Sequence, residues 1–137
     1  MSRIINPESA GKTRTKDTKI IVLAIREFLK QTTSGDLTRD LIACVLLCLD
    51  EIYETIDISV EAWEDRGYWV KADHFRMEWQ WTKIMAEKLR PLVLAENYGE
   101  IVPIYVEILQ ALSNVKVSEN HRMGTPWTGC WKELTQG

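Results

Sequence analysis

Long apolar runs are missing from this 137-residue chain. The longest, Leu41–Leu49, has nine residues, and a membrane-spanning helix needs about twenty. Ile20–Ile25 is shorter still and no small-residue cleavage site follows it, so no secretory leader is read there and the expected compartment is the cytoplasm. Cysteine is scarce, with three residues, too few for a disulfide framework. Cys44 and Cys48 fall four apart inside the apolar run and are expected as buried, reduced thiols; Cys130, between Gly129 and Trp131, is expected to be the exposed one. Histidine is scarcer, and neither His74 nor His121 has the Glu three residues before it that a di-iron helical bundle requires. No G-x-S-x-G elbow is present, so nucleophilic catalysis has no recognisable centre.

An excess of one charge is also missing: 17 basic residues oppose 20 acidic ones, for a net charge of −3. The charges are nevertheless sorted along the chain. Arg3, Lys12, Arg14, Lys16 and Lys19 make the N-terminal arm basic, whereas Asp36–Asp65 holds nine acids against Arg39 alone. The arm is a conceivable phosphate-binding strip, but no aromatic residue precedes Phe28 to stack on a base. Ser9-Ala10-Gly11-Lys12-Thr13 echoes the end of a phosphate-binding loop; the glycine required five residues before Gly11 is Asn6, and the segment reads as a polar lead into a helix.

What the chain has in quantity is apolar residues at helical spacing, 45% of the whole, and six tryptophans. Four helices are predicted: about Lys16 to Gln31, Leu37 to Arg66, Tyr68 to Asn97 with a kink or break at Pro91, and Glu100 to Val115. In the third, Ala72, Phe75, Trp79, Ala86 and Leu89 hold one face, which Met77, Trp81, Ile84 and Met85 widen. No strand alternation appears. The expected fold is all-α, an up-down antiparallel four-helix bundle with two long central helices, organised as a polar basic arm (1–15), the bundle (16–116) and an irregular C-terminal tail (117–137) anchored by Trp127 and Trp131.

Two sets of candidate functional residues follow. The Glu-x-x-Glu pairs of helix two place carboxylates one turn apart, so Glu51 and Glu54, with His74 and Glu78 of helix three opposite, form a possible metal-ligand set and the basis of a metal-dependent hydrolase reading; no cofactor is called for otherwise. The second set is aromatic. A first helix beginning at Lys16 covers helix two only to about Glu51, leaving a tip with Tyr53, Trp63, Tyr68, Trp69, Phe75 and Trp79. Such a patch needs a cover. The expected cover is the tail, through Trp127 and Trp131, or else a second copy or a protein partner; the alternative is that the long hairpin bends and hides these aromatics internally. The reading that asks least is an interaction or assembly module, with an accessory nucleic-acid role for the arm as a further alternative.

Overall fold

A computed structural model describes residues 8–137, so the arm is described only from Glu8 onward and its first seven residues lie outside. The described residues are all-α, with six helices and no strand: α1 Ala10–Leu29, α2 Asp36–Asp65, α3 Trp69–Trp79, α4 Trp81–Leu94, α5 Tyr98–Ala111 and α6 Cys130–Gln136. None of them is long and apolar enough to cross a membrane.

α2 is the axis of the fold: α1, α3, α4 and α6 all pack on it, and α5 packs on α4. The apolar run Leu41–Leu49 explains why. All its residues except Leu47 are buried, so this part of α2 is packed around most of its circumference. The Ile20–Ile25 stretch of α1 is buried in the same way. The two helices join through a short turn in which the Thr38 hydroxyl accepts from the Gly35 N–H and donates to the Gly35 carbonyl, both at 2.8 Å. At the other end of α2, Gly67 takes the left-handed conformation (φ 82°), and the bonds Gly67 N–H to Glu64 O and Tyr68 N–H to Trp63 O close the helix.

The third predicted helix is interrupted, but not where expected. Pro91 sits exposed inside α4, which runs on past it, and the interruption falls at Gln80. Residues two apart on a regular helix point about 200° away from each other. Trp79 and Trp81 nonetheless stack, with ring centroids 6.3 Å apart, and the Thr82 hydroxyl bonds the Trp79 carbonyl at 2.8 Å. Gln80 itself keeps right-handed helical torsions (φ −60°, ψ −25°), so α3 passes into α4 through a tight turn. α4 then ends on Glu96, a non-glycine residue at φ 53°. Its strained backbone is held by its side chain, whose carboxylate accepts from Arg39 Nε at 2.7 Å and from the Tyr98 hydroxyl at 3.2 Å.

α5 stays at the end of the molecule where α1 turns into α2. Tyr98 and Tyr105 both pair with the Phe28 ring, at 6.1 and 5.3 Å, and Arg26 Nη1 donates to the Val117 carbonyl at 3.0 Å. The chain therefore leaves α5 far from the tip. The tail is also less irregular than its Gly and Pro content suggests, because it ends in α6. Both oxygens of Asp40 on α2 accept from its first turn, one from the Gly129 N–H at 3.3 Å and the other from the Trp131 N–H at 2.9 Å. Trp127 and Cys130 are buried in the core.

Candidate interaction surface

The aromatic residues at the tip divide into two sets facing opposite ways. Trp63, Phe75 and Trp79 turn inward and pack on the core. Trp63 and Phe75 meet edge to face at 4.8 Å, and Phe75 lies 6.4 Å from Trp79. Their cover comes from α1, which starts six residues earlier than its apolar spacing indicates. The Arg14 guanidinium lies 4.7 Å from the Phe75 ring centroid and 5.6 Å from that of Trp79, while its Nη1 donates to the Thr55 hydroxyl at 3.2 Å. Burial there lowers the Arg14 pKa, and the nearby Glu78 carboxylate works in the opposite direction. Lys71 covers Trp63 at 4.5 Å, and Lys83 lies 5.5 Å from the Tyr53 ring.

Trp127 and Trp131 are not part of this cover. The Trp131 N–H is bonded to Asp40, thirteen positions before Tyr53 on α2, which is about 20 Å along a helix axis. The expectation that the tail folds onto the tip is therefore corrected: α5 never returns toward the tip, so the tail leaves from the opposite end and docks on the first half of α2.

The second set remains in the open. Tyr68 is 56% exposed, Trp69 61%, Val70 72% and Met77 74%. At 100° per residue, Trp69, Val70, Asp73, His74 and Met77 fall within one arc of α3, opposite Ala72, Phe75 and Trp79. Ala72 is the only buried residue of the helix. α3 thus carries apolar side chains on both faces, and among the described residues those of the outer face are exposed. Met77 and Ile84, read from the sequence as widening the buried stripe, are both exposed.

The acidic candidates are dispersed. Glu51 and Glu54 line a cleft of about 1040 Å³ between α1, α2 and the tail, with Lys12, Lys16 and Lys19 on its opposite wall. Burial, reinforced by Glu51 and Asp50, raises the Glu54 pKa. Asp50 itself is bound by Arg90 Nη2 at 2.6 and 2.7 Å. His74 and Glu78 are exposed on α3 and do not line that cleft. Among the described residues no three His, Cys, Asp or Glu side chains are placed to hold a metal ion.

The floor of the cleft contains the three cysteines, a grouping that sequence spacing could not show because Cys130 arrives from the tail. None of the three is in a disulfide and all are buried, which corrects the expected exposure of Cys130. Hydrogen bonds to Cys130 and Cys48, followed by burial, push the Cys44 thiol far upward. For Cys48 the hydrogen bond from Cys44 acts downward, but burial and the neighbouring Asp17, Cys130 and Glu51 outweigh it and the net shift is upward. Thiols held protonated in this way are poor nucleophiles. No protein-family model matches the chain, and no curated protein or solved structure matches it.

Proposed function

We propose that the chain is a protein-interaction module of the cytoplasm whose docking surface is the outer face of α3. In this reading α1, α2, the α3–α4 pair and α5 act as the members of an up-down bundle that holds α3 on its flank. One observation carries the proposal: Trp69, Val70 and Met77 are exposed apolar side chains on the outer arc of α3, with the exposed Tyr68 immediately before the helix, while the opposite face of α3 is already packed. Single exposed apolar side chains are ordinary, whereas a clustered set containing Trp, Tyr and Met has the composition of an interface core. Tyr53, Trp63, Phe75 and Trp79 support it from beneath, and Trp127 and Trp131 serve the fold instead.

The test separates association from stability. Because both side chains point to solvent, Val70→Glu with Met77→Glu should change the unfolding free energy by no more than about 0.5 kcal/mol. The same variant should elute from a soluble extract at a smaller apparent size than the unaltered chain. Equal elution of the two proteins, with melting unchanged, would count against a docking role for α3.

A further inference from the structure

The cleft between α1, α2 and the tail is shaped for a short segment that is both basic and apolar. Its α2 wall carries Asp50, Glu51 and Glu54, while Ile20, Leu47 and Met123 lie with the thiols on its apolar side. Asp50 is already bound by Arg90, so an entering cation falls to Glu51 and Glu54. The three acids also repel one another: Glu51 and Asp50 add to burial in raising the Glu54 pKa, and a cation relieves that repulsion. The lysines of the opposite wall do not supply it. Lys12, Lys16 and Lys19 are exposed, and among the described residues none of them forms an ion pair across the cleft. At about 1040 Å³ the cleft stands at the top of the range for small-molecule sites, roughly 300–1,000 Å³, and suits a few residues of peptide.

Such a segment is attached at the rim. Glu8, where the described residues begin, stands three positions before Gly11, which lines the cleft. Before Glu8 the chain reads Met1-Ser2-Arg3-Ile4-Ile5-Asn6-Pro7. Seven residues reach at most about 23 Å when extended. The cleft follows α1 from Gly11 to Ile20, which at 1.5 Å per residue is about 14 Å. The reach therefore exceeds the cleft and leaves length for a turn. Pro7 disfavours helical torsions at Asn6, which suits a departure from the α1 axis there. Arg3 supplies the cation, and Ile4 and Ile5 supply apolar surface beside it. Tethering decides between the chain's own segment and that of another copy: a link this short holds the segment near the cleft at an effective concentration in the millimolar range.

We infer that the occupant of this cleft is the chain's own segment 1–7, folded back along α1 with Arg3 on the Glu51–Glu54 wall and Ile4 and Ile5 against Ile20, Leu47 and Met123. The docked segment closes the cleft over the three cysteines and withdraws Arg3 from any contact with phosphate. The inference concerns a different face from α3 and does not depend on the docking role proposed above.

Native-state labelling of the thiols with a bulky aromatic disulfide reagent is the test, run on the full chain and its variants with urea midpoints measured alongside. Arg3→Glu should speed labelling about fivefold, and Arg3→Glu combined with Glu51→Arg should slow it again, because opposite charges once more face each other. A chain begun at Glu8 should label about tenfold faster than the full chain. A photo-crosslinking phenylalanine analogue at position 2 of the purified full chain identifies the occupant: the expected product has monomer mass and joins position 2 to Met123 or another residue of the cleft. Equal labelling of the full and shortened chains, faster labelling that merely tracks a lower urea midpoint, or a charge exchange that fails to slow labelling would overturn the inference. A crosslink into the cleft at dimer mass would give the cleft to the segment of another copy, and a product joined elsewhere, or none, would leave it to a separate ligand; each of these also overturns it.

Discussion

Trp127→Ala should lower the unfolding free energy by about 3–5 kcal/mol, the range for emptying a buried tryptophan site. The side chain is 8% exposed and belongs to the core together with Cys130, although it comes from a segment rich in glycine and proline. Its removal leaves a cavity next to α2 and weakens the seating of α6, whose first turn depends on Asp40. Asp40→Ala should cost less, about 1–2 kcal/mol, since it deletes a cap and leaves the packing in place. Urea unfolding of the two variants measures both losses. A Trp127→Ala protein as stable as the unaltered chain would mean that the tail is not part of the cooperative fold.

Stability should fall steeply in alkali, for reasons that lie in the same part of the core. Cys44, Cys48 and Tyr105 are buried with their protons held, each shifted above its ordinary value of 9.0 for the thiols and 10.0 for the phenol. The Tyr105 shift comes from burial and then from Cys44, and the Tyr105 hydroxyl has no hydrogen-bond partner among the described residues. The unfolded chain gives up these protons above its ordinary values while the native state keeps them. With more protons bound in the native state, stability decreases as pH rises. It is fully present below about pH 9, and each group removes up to about 1.4 kcal/mol per pH unit beyond its own unfolded value. Between pH 8 and pH 11 the combined loss should therefore grow with pH to at most about 7 kcal/mol. Urea midpoints measured across that range should show it. Tyr105→Phe should flatten the curve only above pH 10, and Cys44→Ala with Cys48→Ala should flatten it from pH 9. A constant midpoint up to pH 10.5 would show that these groups ionise freely in the folded protein.

The parts of this fold that were legible in the sequence are those in which one helix face is uniformly apolar. α2 was placed within one residue at each end, because its stripe is unbroken and Gly67 supplies the left-handed residue at its end. The apolar spacing starts α1 six residues late: its first turns border a cleft, where Lys12 and Lys16 break the apolar pattern without breaking the helix. Proline marked the wrong place for the interruption of the third helix. An exposed proline is accommodated in α4, whereas the turn at Gln80 carries no glycine or proline to mark it. Periodicity also failed on α3. With apolar residues all round the helix it cannot say which face is buried, and Met77 was placed on the wrong one. The tip aromatics were identified as a set, but their cover was not. That cover is Arg14, a cation, and hydrophobic patterning does not point to cations that lie on aromatic rings.

The central claim is that the outer face of α3 meets another polypeptide. The most direct measurement places a photo-crosslinking phenylalanine analogue at position 70, with the same analogue at the exposed Lys132 of α6 as a control, and irradiates the cells producing each protein. Position 70 should yield one discrete crosslinked product, of twice the chain mass if the partner is a second copy, and position 132 should yield none. Chain of monomer mass alone from position 70, or the same products from both positions, would contradict the claim.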